Sequence, residues 1–273
     1  MFENERIAFI GNGVMAQAMI AGLVNRKLFD SRQIIASGPR EGRGQQLHER
    51  YGIHHTTCNL TAIAKANIVV LAVKPQVMSE VLNEIQGKLH SETLIVSIAA
   101  GIPVEKMVQI LNHDIVVRVM PNTPTRVGQG MCVWTATKNV SPIQRSHVQA
   151  ILGALGKEIF VDHEYYLDMA TALSGTGPAY IFLFIEALID SGVHMGFSRR
   201  VSQELVLQTM EGTVAFARKY PRHPAELRNM VTSPGGTTTD AIYQFEKGGF
   251  RTIISKAVFA AYQKSKTLGR GNS

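Results

Sequence analysis

Cysteine is scarce: the 273-residue chain has two, Cys58 and Cys132, without paired spacing, so neither a disulfide framework nor a zinc site is indicated. No apolar run reaches the ~20 residues of a membrane span. The most apolar segment, Ala179 to Val193, carries Glu186 and Asp190 and reads as a core helix. The N-terminus, Met1 to Arg6, is acidic where a secretory signal would be basic, and the apolar run behind it stops at Ile10; no export signal is expected, and the chain is placed in the cytoplasm with reduced thiols. The nine histidines are scattered, and the adjacent pair His54 and His55 would face opposite sides of a strand, so no metal is expected. Basic residues are not clustered with aromatics, which sets nucleic acid aside; the net charge of +7 suits a dinucleotide and an acidic substrate instead. Acidic residues are absent after Glu246, leaving a basic, solvated C-terminal face.

What is present falls into two halves. Arg6 to Ile10 reads as a buried parallel strand, and Gly11-Asn12-Gly13-Val14-Met15-Ala16 follows at once and opens a helix. This is the G-x-G-x-x-G/A dinucleotide fingerprint in its strand-turn-helix setting: Gly11 for the tight turn, Gly13 for close approach to a pyrophosphate, Ala16 for helix-sheet packing. The next strand, Gln33 to Ala36, ends in Ser37-Gly38-Pro39-Arg40 and lacks the acid that would hold an NAD ribose. A small hydroxyl residue followed by an arginine favours a 2′-phosphate and hence NADP(H), with NADH left open as an alternative; the lesser alternative for Arg40 is the exposed start of a helix over Glu41 to Tyr51. Further strands at Asn67–Val73, Thr93–Ser97 and Asp114–Val119 alternate with helical patterns, which predicts a doubly wound parallel sheet with ligands at the carboxyl ends of its strands. Lys74, before Pro75, fits either a contact to ribose or phosphate or a surface position ahead of a helix; Asn122, between two prolines, fits either a ligand contact or a turn cap.

A strand at Met131–Thr135, a helix at Pro142–Leu155 and a strand at Lys157–Val161 complete the first half. No linker rich in glycine, proline or serine follows, so the boundary near Asp162 rests on the change of pattern: an α/β Rossmann-type domain over 1–162 and an all-helical domain over 163–273. Helices are expected at Tyr165–Leu173, Pro178–His194, Ser198–Lys219, Ala225–Val231, Thr238–Lys247 and Phe250–Leu268. Segments apolar on most sides, such as Tyr180–Ile189, need more neighbours than one chain's helices supply, which predicts a dimer through this half.

Within it, Thr232-Ser-Pro-Gly-Gly-Thr-Thr-Thr-Asp240 has the form of an anion-binding turn on a helix start. Two glycines free the backbone, the helix N-terminus favours a carboxylate or phosphate, and Thr237 to Asp240 are suited to capping. A capped turn without a ligand fits the same residues.

That turn sits in a longer frame: Pro224-Ala-Glu-Leu227, Val231 to Thr238, Ala241-Ile242 and Phe245-Glu246. With Ala72-Val-Lys-Pro75, Ser97 to Gly101, Met120-Pro-Asn-Thr-Pro124 and Leu173 to Tyr180, the chain resembles the Δ1-pyrroline-5-carboxylate reductases along essentially its whole length. The resemblance implies NADPH-dependent reduction of L-1-pyrroline-5-carboxylate to L-proline, the last step of proline biosynthesis. It implies cofactor contacts at Ile10, Gly11, Asn12, Gly13, Val14 and Met15, at Ser37, Pro39 and Asn59, at Ala72, Val73, Lys74 and Pro75, and at Ile98, Ala99 and Ala100. On the substrate side it implies Ser233, Gly235, Gly236, Thr237 and Thr238, whose turn would hold the carboxylate while Thr238 meets the ring nitrogen. Glu164 matches a substrate-site position and equally fits a first-turn helix carboxylate. The family further implies interlocked helical domains in a homodimer, with a decamer built from dimers left open, and the substrate turn of one subunit facing the cofactor of its partner. Arg222 and Met230 depart from residues found in some relatives. The rivals are a hydroxy-acid dehydrogenase, with Lys219 or His223 as its acid/base, and a nucleotide-sensing protein without turnover.

Overall fold

The computed structural model describes residues 2–270, with side chains as far as Leu268. Packing groups the chain into two compact units, Met1–Thr176 with Ala261–Ser273, and Gly177–Ala260; Met1 and residues 271–273, the outer ends of the expected domains, lie outside the described residues.

In the first unit, short aliphatic runs become strands and the segments between them become helices. In chain order these are β1 (Ile7–Ile10), α1 (Val14–Asn25), β2 (Ile34–Ser37), α2 (Glu41–Tyr51), β3 (His54–Thr56), α3 (Asn59–Ile63), β4 (Ile68–Leu71), α4 (Met78–Ile85), β5 (Leu94–Ser97), α5 (Val104–Leu111), β6 (Val116–Met120), β7 (Gly130–Ala136), α6 (Pro142–Gly153) and β8 (Gly156–Phe160). The strand order is β3-β2-β1-β4-β5-β6-β7-β8. β1, β4 and β5 are buried at every position, as strands covered on both faces must be. One face is covered by α1, α2 and α6, with Met19, Leu23, Leu47 and Ile151 in its core. The other is covered by α3, α4 and α5 through Ile63, Leu82, Ile85 and Met107. Each such side chain contributes roughly 1.5–3 kcal/mol on burial.

The sheet is parallel over its first six strands, as the alternating pattern predicts, and then reverses. β7 runs antiparallel to β6, and β8 is parallel to β7 across the α6 crossover. The connection from Pro121 to Gln129 holds only a 3₁₀ turn, Thr123–Val127, too short for a parallel crossover. In register, Ile10 lies beside both Ser37 and Leu71, and Leu71 beside Ser97. The carboxyl ends of β1, β2, β4 and β5 therefore finish level, and the segments that follow them crowd together.

The expected break between helices at Ser174–Gly177 is absent. α7 (Tyr165–Ala170) runs through a π turn, Thr171–Gly175, into α8 (Gly177–His194). The result is one helix of 30 residues, Tyr165–His194, long and apolar enough to cross a membrane by length and composition; only 11% of its most apolar window is buried. It is thus longer than the core helix expected at Ala179–Val193, and exposed within the single chain: Phe182 and Leu183 are 66% and 68% accessible. By packing, α7 and the π turn belong to the first unit, so the expected division at 162/163 falls inside it.

The second unit contains α8, α9 (Arg199–Lys219), α10 (Pro224–Met230), α11 (Thr237–Lys247) and the first part of α12 (Phe250–Arg270). Ser198 caps α9 as expected, accepting from the Val201 N–H. α8 and α9 meet closely at Gly192, where a Cβ would lie 2.6 Å from the Ser202 hydroxyl. Among the described residues of this unit, Ile189 is the sole buried hydrophobic side chain. Such a unit leaves its apolar faces uncovered within one chain.

Two glycines test the sheet edge. Gly156 has φ +145°, and a Cβ there would lie 2.2 Å from the Gly130 carbonyl oxygen; Gly153, in α6, has open space. Gly156→Ala should lose about 2–4 kcal/mol in denaturant unfolding, and Gly153→Ala should be neutral or gain up to about 1 kcal/mol. Equal effects would contradict the packing at β7 and β8.

Candidate active site

The fingerprint is built from backbone. Gly11 has φ +101°, and a Cβ there would lie 2.8 Å from the Ala72 carbonyl carbon and oxygen and 3.0 Å from the Val73 nitrogen. Only glycine allows the turn after β1 to press against the segment after β4. The ladder continues beyond the strands: Gly11 N–H donates to the Ser37 carbonyl at 3.0 Å, Ala72 N–H to Ile10 at 2.8 Å, and Ile98 N–H to Leu71 at 3.1 Å. Ile10, Ala72, Val73 and Ile98 are brought together in this way, with Ala99 and Ala100 continuing the last strand end. Gly101 (φ +72°) lies against Leu268 of α12, where an added Cβ would sit 3.2 Å from the leucine's own.

Gly13 is the N-cap of α1 and supplies no side-chain cap, while a Cβ on it would meet nothing within 4 Å. Helix-start N–H groups without intrahelical partners are suited to an anion. Val14 is exposed, Met15 is half-buried with its sulfur accepting from Thr125 Oγ1 at 3.3 Å, and Asn12 is buried against Gly38.

Ser37 is fully buried, and its hydroxyl donates to Asn59 Oδ1 at 2.6 Å; Asn59 Nδ2 in turn donates to Glu84 Oε2 at 2.7 Å. Pro39 and Arg40 are exposed, with Arg40 at the N-cap of α2 and in no ion pair among the described residues. Lys74 is exposed at the N-cap of a short 3₁₀ turn, Pro75–Val77. Asn122 stands at the N-cap of the 3₁₀ turn Thr123–Val127 without a side-chain cap; its amide instead bridges other segments, Nδ2 donating to the Ser174 carbonyl at 3.1 Å and Oδ1 accepting from Met131 N–H at 2.9 Å. A cavity of about 440 Å³ lined by Arg6, Arg32, His54 and Lys65 opens elsewhere, at the N-terminal edge of β1 and β2.

Glu164 is held in place by a residue that the sequence reading passed over. Its Oε1 accepts from Arg118 Nη1 at 2.5 Å and from Val104 N–H, the start of α5, at 2.9 Å. Arg118 is 6% exposed on β6. A buried charge requires a partner, so an arginine inside Val116-Val-Arg-Val-Met120 was the available signal. The carboxylate serves α5 rather than its own helix, where it makes no side-chain cap.

In the second unit, Gly236 N–H donates to the Ser233 carbonyl at 3.1 Å and Gly235 has φ +66°. With Pro234 ahead of Gly235, this is the arrangement of a type II turn. The threonines do not cap α11: its N-cap is Gly236, without a side-chain bond. Thr237 and Thr238 instead occupy the first helical turn, where N–H groups lack intrahelical partners. Thr239 Oγ1 donates back to the Ser233 carbonyl at 2.7 Å and braces the turn. Thr238 is half-buried. Of the acid/base candidates for a hydroxy-acid enzyme, His223 accepts from Ala225 N–H at 3.2 Å as the cap of α10, and the Lys219 ammonium lies over the Tyr220 ring.

Comparison with known proteins accounts for both units. Residues 164–268 match the pyrroline-5-carboxylate reductase dimerisation family, and residues 6–101 match the coenzyme F420-dependent NADP oxidoreductase family. The chain is 41% identical to the pyrroline-5-carboxylate reductase of Pseudomonas aeruginosa, covering 96% of each sequence. To that of Synechocystis it is 39% identical, covering 97% of this chain and 98% of the other. The crystal structure of the Plasmodium falciparum pyrroline carboxylate reductase with NADP bound is 35% identical with a TM-score of 0.89, covering 98% of this chain and 99% of that one. A prephenate dehydrogenase from A. aeolicus, at 15% identity and TM-score 0.55, shares the fold alone. By near-complete sequence and structural correspondence, the chain belongs to the pyrroline-5-carboxylate reductase family.

Proposed function

We propose that the chain reduces L-1-pyrroline-5-carboxylate to L-proline with NADPH, the last step of proline biosynthesis. The observation that carries this reading is the chain-long relationship, joined to an intact fingerprint at one end and an intact glycine turn at the other.

The residues of the first unit fit a dinucleotide. The open N-terminus of α1 at Gly13 would receive the pyrophosphate, Arg40 the 2′-phosphate, and Ala72 to Pro75 with Ile98 to Ala100 the rest of the cofactor. When bound, the nicotinamide supplies the hydride that reduces the imine carbon. The Ser233–Gly236 turn and the first N–H groups of α11 hold the substrate carboxylate, and the Thr238 hydroxyl hydrogen-bonds the ring nitrogen. A cyclic imine protonates readily, so orientation and electrostatics replace a dedicated strong acid. Glu164, fixed by Arg118, borders the substrate side. The division into a cofactor domain over 1–162 and a substrate and dimerisation domain over 163–273 describes these roles.

Two chains form the working enzyme. The exposed face of Tyr165–His194 and the near absence of a core in the second unit support a homodimer through the helical half, with the turn of one subunit serving the cofactor of the other; dimers can stack further into a decamer. A helix covered by a second copy needs no membrane, consistent with a cytoplasmic enzyme.

Thr238→Ala should lower kcat/KM for the imine roughly ten- to a hundredfold, the loss of about 1.5–3 kcal/mol for a hydrogen bond to a charged group, and leave the NADPH Kd unchanged. Thr238→Ser should retain most activity. Near-wild-type turnover in the alanine variant would remove Thr238 from the site. In sedimentation at micromolar concentration the protein should run as a dimer or a multiple of it; a stable, fully active monomer would contradict the assembly.

A further inference from the structure

In a doubly wound sheet that binds NAD, an acid at the end of the second strand hydrogen-bonds the ribose hydroxyls. Ser37 holds that place here, with no exposed surface of its own. Its hydroxyl is bonded to Asn59, and Asn59 to Glu84. Chemistry fixes the direction of both bonds. An ionised carboxylate only accepts, so Asn59 turns its NH₂ toward Glu84 and its oxygen toward Ser37, which makes Ser37 a donor into the protein. One Asn59 N–H remains for a ligand. Glu84 is exposed near the end of α4 and forms no ion pair among the described residues. Its charge also reaches the neighbouring Cys58, whose thiol pKa is lowered chiefly by hydrogen bonds from Thr61, against an opposing effect of Glu84.

We propose that Glu84 is a positioning residue that sets cofactor choice: acting through Asn59, it supplies from α4 the acid missing at the end of β2. The inference rests on reading the Ser37–Asn59 corner as the ribose end of the cofactor site. A 2′-phosphate there finds one amide N–H and the Arg40 charge in its favour and the Glu84 charge against it. A 2′-hydroxyl meets the same amide without that repulsion. Glu84 therefore narrows the advantage of NADPH over NADH and keeps both usable, while its hydrogen bond holds Asn59 in the orientation that either cofactor needs.

Glu84→Gln separates the two effects, because glutamine still offers Asn59 an acceptor but carries no charge. The Kd values of NADPH and NADH, and of the fragments 2′,5′-ADP and 5′-AMP, would be measured by calorimetry at low and high salt. The expected result is binding of NADPH and 2′,5′-ADP tightened about three- to tenfold at low salt, little change for NADH and 5′-AMP, and a difference that shrinks as salt rises. An unchanged ratio, or equal shifts in both cofactors, overturns the proposal. Asn59→Ala distinguishes the causes of failure. If it weakens both cofactors while Glu84→Gln leaves their ratio alone, the role of Glu84 falls and the ribose site stands. If Asn59→Ala alters neither cofactor, the ribose end lies elsewhere and the proposal falls with it.

Discussion

The close backbone approach of Gly11 to Ala72 and Val73 is the constraint on which the cofactor half depends. It requires a residue without a Cβ at φ +101°. It also requires β1 and β4 to pair in a register that ends both strands together, Ile10 beside Leu71. Given those conditions, α1 starts where its free N–H groups face open space at Gly13, and the segments after β2, β4 and β5 gather around the same opening. The aliphatic cores on the two faces of the sheet hold this register, since slipping by one residue would turn each side chain from one core toward the other.

The helical half follows a different rule. Its helices carry apolar residues but bury almost nothing within one chain, and its turn is organised locally, by Pro234, the left-handed Gly235 and the Thr239 hydroxyl on the Ser233 carbonyl. The turn therefore takes its shape from its own sequence. The surrounding helices fall within the stretch, residues 164–268, that matches the pyrroline-5-carboxylate reductase dimerisation family. The proposed catalysis would need little chemistry from the protein: a cradle of N–H groups at each end of the reaction and one hydroxyl at the ring nitrogen.

Much of this was legible in the sequence because it depends on local rules. The fingerprint after a buried strand, the Ser198 cap and the Pro-Gly-Gly turn are written in consecutive residues. What was not legible depends on residues far apart. Arg118 and Glu164 are joined across β6 and the start of α7, and nothing near Glu164 announces its partner. Glu84 reaches Asn59 because α3 and α4 cover the same face of the sheet, a contact without a sequence pattern. Ser174-Gly-Thr-Gly177 reads as a helix break, yet the helix passes through it as a π turn, with Gly175 close against the Met120 side chain. The threonines after Gly236 read as caps, but the helix begins one residue earlier and takes them into its first turn. The reversal of β7 follows from the length of one loop rather than from strand composition.

The central claim, hydride transfer to a cyclic imine, is tested most directly by following NADPH oxidation by the purified protein with L-1-pyrroline-5-carboxylate and identifying the product. 2-Hydroxy acids with NADP would be run in parallel. The account predicts stoichiometric formation of L-proline and no turnover of the hydroxy acids. Oxidation of a hydroxy acid with no reduction of the imine, or cofactor binding without any turnover, would contradict it.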